Sequence, residues 1–112
     1  MINNLLKLFV PAVAIMIAGH FLDAVIVQSF GIAIIVSIVL GLLNMTVKPI
    51  LQILTIPVTI LTLGLFLIII DAVLVIFTSK IIEGFQVDNL FWAIIFSLFV
   101  SVTSTVLNYF LD

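Results

Sequence analysis

One carboxylate, Asp71, stands in the run LFLIIIDAVLVIF at residues 65–77, with apolar side chains on both sides. An ionised carboxylate in hydrocarbon costs several kcal/mol or more, so such a residue is a functional candidate with a partner to be named. Asn44, Ser37 or a backbone carbonyl is the expected partner of a protonated, hydrogen-bonded Asp71. A proton- or cation-linked role is the sharper alternative. Lys80 lies nine residues on, more than two helical turns away, so a local ion pair with it is not expected. His20 with Asp23, and Lys80 with Glu83, are spaced three apart and read as charge pairs at a membrane interface. One histidine and no cysteine leave no ligand set for a metal. No nucleophile–base constellation and no phosphate loop are present, so neither an enzyme nor a cofactor is expected.

The elements that must position these groups follow from composition. The chain is 66% hydrophobic and 7% charged. A soluble domain needs roughly a quarter of its residues charged to cover its exterior. The exterior therefore faces lipid, and the bilayer is the first partner. A net charge of −2 offers nothing to nucleic acid. The first apolar run is read as a span rather than a cleaved signal, because the residues around His20 lack a small-residue cleavage pattern.

A span needs about 20 apolar residues. The expected fold is an all-α membrane protein in a single domain, residues 1–112, with four transmembrane helices at about 5–22, 30–47, 61–80 and 90–110. Ser29 and the pair Asp88–Asn89 are N-cap signals ahead of the second and fourth spans. Trp92 and Tyr109 suit interfacial anchors. A gapless shift of sixty residues lays Asp23 on Glu83 and residues 33–37, AIIVS, on residues 93–97, AIIFS. Two helical-hairpin repeats are expected, at about 1–47 and 61–112. Each crosses twice, so they are parallel, related by an axis along the membrane normal.

A linker helix at 48–60 joins them. Lys48, Gln52, Thr55, Thr59 and Thr62 fall on one helical face, amid apolar residues. Such a segment lies in the interface or re-enters the membrane, or its polar stripe faces other helices. Small residues recur every fourth position in the second span (Ala33, Ser37, Gly41) and the fourth (Ala93, Ser97, Ser101, Thr105). Small residues admit close backbone approach, so these stripes are expected to pack on each other or on a second copy. Lys7, Lys48 and the amino terminus fall on one side. Lys80 falls on the other with Asp23, Glu83 and Asp88, which places both termini in the cytoplasm by the positive-inside rule.

The motifs Gly41–Leu42–Leu43–Asn44, Lys48–Pro49–Ile50, Leu54–Thr55–Ile56–Pro57 and Leu61–Thr62–Leu63–Gly64 resemble those of phage holin superfamily IV, and the resemblance covers nearly the whole chain. It implies a small four-helix protein of the bacterial inner membrane. Members often carry Asn where this chain has Asp71, which favours a hydrogen-bonding role there. Three functions follow as expectations. The first is a non-enzymatic protein acting by self-association or as an accessory subunit of a membrane complex. The second is a holin-like pore former. The third is a small proton- or cation-linked transporter, in which Asp71 and Asn44 line a path. A dry cluster of Asp71, Asn44 and Ser37 would count against transport, and a cavity open to one side would count for it.

Overall fold

The computed structural model describes residues 2–111, so the amino group of Met1 and the carboxylates of Asp112 lie outside the described residues. The helices are α1 (Ile2–Phe21), α2 (Phe30–Leu54), α3 (Ile56–Leu61), α4 (Phe66–Ile81) and α5 (Leu90–Leu111). Two short strands, β1 (Val25–Val27) and β2 (Phe85–Val87), fill the connections after α1 and α4. Three helices, α1, α2 and α5, are long and apolar enough to cross a membrane. At 16 residues, α4 is about 24 Å long, close to but short of a 30 Å hydrocarbon core.

The N-caps fall where the sequence places them. Ser29 is extended, and its hydroxyl accepts a hydrogen bond from the Ile32 amide at 3.2 Å. The Asn89 side chain does the same for the Trp92 amide at 3.1 Å. Each satisfies a backbone donor that the first helical turn leaves unpaired.

Two boundaries differ from expectation. The second span does not stop at residue 47: α2 carries Lys48 and Pro49 inside it and runs on to Leu54, so there is no separate helix at 48–60. The break comes instead at Thr55. Pro57, in the first turn of α3, has no amide to give the Ile53 carbonyl. The next helix starts at Phe66 rather than residue 61. Between them the chain reverses on Leu63 (φ 57°) and Gly64 (φ 89°). The Gly64 amide reaches back to the Thr59 carbonyl at 2.8 Å and the Leu63 amide to that of Ile60 at 3.1 Å, the left-handed stop typical of a helix C-terminus.

The unanticipated element is the ribbon. β1 and β2 pair antiparallel, Val25 with Val87, Ile26 with Gln86 and Val27 with Phe85. Two flanking bonds extend the ladder, from the Gln28 amide to the Gly84 carbonyl (2.9 Å) and from the Asp88 amide to the Ala24 carbonyl (3.1 Å). Its midpoint joins Ile26 to Gln86, residues sixty apart.

Around the bundle each helix packs mainly on two others: α1 on α2 and α5, and α4 on α2 and α5. Chain direction therefore alternates around the ring. The core includes Ile15, Val25, Val36, Val75, Phe85 and Phe96. Every buried non-glycine residue described has a buried counterpart sixty positions away, for example Val10 and Ile70, Ala18 and Thr78, Ala33 and Ala93, Val36 and Phe96. In α1 and α4 they extend past mid-helix, to Val10 and Ile70. In α2 nothing beyond Val36 is buried, and in α5 nothing beyond Phe96.

Gly84 joins α4 to the ribbon at φ +92°, and a Cβ there would stand 3.0 Å from the Gln28 side chain and 3.2 Å from that of Ile32. Gly84→Ala is thus both strained and crowded. It should destabilise the bundle by about 1–3 kcal/mol, read as a lower unfolding midpoint in detergent. An unchanged midpoint would mean that the ribbon contributes little to the fold.

Candidate intramembrane polar site

Asp71 is neither isolated nor bonded to Asn44. Its carboxylate meets the Lys48 ammonium at 2.6 Å. The partner is thus a lysine, and not the amide, hydroxyl or backbone carbonyl expected. Along α4, Asp71 is ten residues from the ribbon end, about 15 Å. Along α2, Lys48 is eighteen residues from it, about 27 Å. The Cα–Cβ bonds of a helix lean toward its N-terminus. α2 and α4 are antiparallel, so Lys48 leans toward the ribbon and Asp71 away from it. The long lysine stem closes the remaining gap.

The pair lies in a cleft of about 260 Å³ between α2, α4 and α5. Asn44, Ser97 and Ser101 share this lining, with Leu40, Val75, Phe96 and Val100 as its apolar part. Side-chain exposure is 25% for Lys48 and 38% for Asp71, so neither charge is sealed in the core. The Ser97 hydroxyl is buried without a hydrogen-bond partner. Of the three expected polar residues, Asp71 and Asn44 share the cleft, and Ser37 does not. Ser37 gives its proton to the Ile34 carbonyl of its own helix at 2.7 Å.

The small-residue stripes do not form one seam. α2 and α5 stand diagonally, each packed on α1 and α4. Ala33 and Ala93 are buried in the core, but Gly41, Ser101 and Thr105 are exposed, and no atom stands within 4 Å of where a Gly41 Cβ would be. Two helices, α2 and α3, carry the amphipathic stripe. Lys48, Gln52, Thr55, Thr59 and Thr62 are all half-buried, while Ile50, Ile53, Leu54, Ile56, Ile60 and Leu61 are exposed. Its polar side turns toward the protein and its apolar side outward. Thr55 and Thr62 give their hydroxyl protons to the Leu51 and Val58 carbonyls, and the Thr59 hydroxyl is buried without a partner. Among the described residues, no ion pair joins His20 to Asp23 or Lys80 to Glu83. His20 instead sets its ring edge-on to Phe21.

Lys48 is what sequence reasoning missed as the partner of Asp71. The available signal was that each is a lone charge of opposite sign within a long apolar tract.

Apolar helices with mostly outward-facing hydrophobic side chains, joined by short extramembrane turns, define a small polytopic membrane protein. Residues 2–106 match the family described as mycobacterial 4 TMS phage holin, superfamily IV, and the chain belongs to it. That description gives four transmembrane segments, and α4 is the helix available for the one that length alone does not assign. The chain is 38% identical over 103 residues to "Uncharacterized membrane protein YvlD" of Bacillus subtilis (strain 168), covering 91% of this chain and 87% of the relative. It is also 38% identical over 119 aligned positions to "Uncharacterized protein SCO3922" of Streptomyces coelicolor, covering 97% and 95%. No solved structure matches it.

Removing one member of a partly desolvated ion pair strands the other charge, at about 1–3 kcal/mol after allowance for the exposure of this one. Lys48→Met and Asp71→Asn should each destabilise the bundle by that amount, and the double variant should cost less than the two singles added. Unfolding in bicelles measures the cycle. Simple additivity would mean that the contact contributes nothing.

Proposed function

We propose that the protein is a non-enzymatic component of the bacterial inner membrane that acts by self-association or as an accessory subunit of a membrane complex. One observation carries this reading: beyond Val36 in α2 and Phe96 in α5, neither helix has a buried side chain. Away from the ribbon, α2 and α5 present the exposed small positions Gly41, Ser101 and Thr105 among large apolar side chains such as Ile38, Leu42, Leu98 and Val102. In lipid such positions favour close approach of another helix.

Its architecture on this reading is a pair of parallel hairpin repeats about an axis along the membrane normal. The matched burial at a sixty-residue offset and the ribbon centred on Ile26 and Gln86 support this. The segment from Lys48 to Thr62 is immersed in the membrane, not laid on its surface. A surface helix turns its polar side to water, whereas here the outward side is apolar. Both termini face the cytoplasm, with Lys7 and Lys48 toward that side and Asp23, Glu83 and Asp88 toward the other.

A second reading is supported by the cleft: holin-like or transporter-like leakage of protons or cations past Lys48 and Asp71. Membrane potential followed during controlled expression separates it from the first reading, since only leakage depolarises cells at an abundance where an unrelated four-helix protein is harmless.

For self-association, the expected result is a defined oligomer in native nanodiscs, counted by single-molecule photobleaching. Gly41→Leu with Ser101→Leu should shift it toward monomer by about tenfold in apparent affinity. Monomeric wild type at every protein-to-lipid ratio would remove self-association and leave the accessory role.

A further inference from the structure

The geometry points to the cleft between α2, α4 and α5 as a one-sided aqueous vestibule, a site for water that reaches from the end away from the ribbon to the middle of the membrane. This holds for a single chain, whether or not it self-associates.

Three observations converge. The first is charge. Lys48 and Asp71 are partly exposed, and their exposed surface opens into the cleft. If lipid filled that space, two ions would face hydrocarbon over a quarter or more of their side-chain area, at a depth where charges face the bundle interior or water. The second is the polar accounting. The Ser97 hydroxyl is buried with no protein partner, and an orphaned hydroxyl in a low-dielectric setting is unfavourable. Asn44 and Ser101 add further donors and acceptors around the same space. At a liquid volume of roughly 30 Å³ per water, the 260 Å³ cleft has room for several molecules with the polar partners each needs. The third is direction. The buried layer of Val25, Val36, Phe85 and Phe96 closes the bundle on the ribbon side. On the other side α1 and α4 still bury Val10 and Ile70, but α2 and α5, which form two walls of the cleft, bury nothing. There the half-buried polar face of Gln52, Thr55 and Thr59 follows on from Lys48.

Offset by sixty residues, the α1–α5 interface is the counterpart of the α2–α4 interface. There the position of Asp71 is Pro11 and that of Lys48 is Asn108. Neither of these two counterpart positions carries a charge. Ser37, the counterpart of Ser97, binds its own backbone and does not line the cleft. The two serines lie equally far along their helices from the ribbon, so one is a depth-matched control for the other.

The chain has no cysteine, so single substitutions report without background. Ser97→Cys and Ser37→Cys are nearly isosteric, and Gln86→Cys marks the ribbon side. Each full-length variant is reconstituted in sealed liposomes of one orientation and treated with a membrane-impermeant maleimide on either face. The thiolate is the reactive species, and it forms only where water reaches. Ser97→Cys should label at least about tenfold faster than Ser37→Cys, and only from the face opposite that which labels Gln86→Cys. All three should label equally after denaturation in SDS, which excludes a blocked thiol. Equal labelling of both serine positions, absence of labelling at Ser97→Cys, or labelling from the ribbon side would each overturn the vestibule. Absence of labelling would indicate a lipid-filled or closed cleft.

Discussion

Six residues of β-ribbon tie together a chain that is otherwise helices in an apolar solvent. Hydrophobic burial does not drive helices together in lipid, since the lipid tails are as apolar as the side chains. Something else must bring α1 and α2 into register with α4 and α5. The antiparallel ladder of residues 25–27 with 85–87, extended by the amides of Gln28 and Asp88, supplies that register through directional bonds. It also covers the backbone of the two connections, whose donors and acceptors would otherwise be unpaired beside the membrane. Val25 and Phe85 then point from the ribbon into the core, so the same strands that align the hairpins plug one end of the bundle.

Packing strength declines with distance from that end. Small residues let the helices approach: Ala18, Ala33 and Ala93 near the ribbon, and Ala12 and Ala72 at mid-helix, are all buried. Beyond Val36 in α2 and Phe96 in α5, no side chain is fully covered. The Lys48–Asp71 contact ties α2, in this looser part, to α4, where Ile70 and Ala72 on either side of Asp71 are still buried. An ion pair suits that position because its attraction is long-ranged and strengthens as the surroundings become less polar, whereas dispersion needs close fit. Its desolvation cost is lowered by the opening of the cleft around it.

Much of this was legible in the sequence. Composition alone excludes a water-facing globule. Ser29 and Asn89 mark helix starts because their short polar side chains are the ones able to reach back to a free amide. What stayed hidden has physical reasons. Three-residue strands are too short to show an alternating pattern, so residues 25–27 and 85–87 read as plain loops. Pro49 reads as a boundary, yet α2 continues through it; apolar helices tolerate proline where neighbours compensate for the missing bond. Placing a boundary there put Lys48 in a linker and removed it from consideration as the partner of Asp71. α4 starts at Phe66 and not at residue 61 because the chain reverses on Leu63 and Gly64; Gly64 carries the breaker signal, but it sits inside an apolar run long enough to read as one helix.

Burial and polarity follow different rules across the two halves. Buried positions correspond pair by pair at a sixty-residue offset, even where the side chains differ, as with Val36 and Phe96 or Ala18 and Thr78. The two charges of the cleft do not: Asp71 stands opposite Pro11 in that offset, and Lys48 opposite Asn108. A core position is constrained by shape on all sides, so matched backbones demand matched burial. A position lining an open cleft is constrained only by what fills the cleft. Two matched ion pairs would put four charges within one small bundle, with each added desolvation cost drawn from the same limited packing. One pair in the cleft avoids that cost, and Pro11 and Asn108 at the counterpart positions bring no charge. The scaffold is thus close to symmetric where it must hold together and asymmetric where it meets polar groups. That division makes the α2–α4–α5 cleft, and not its counterpart, the place to look for function.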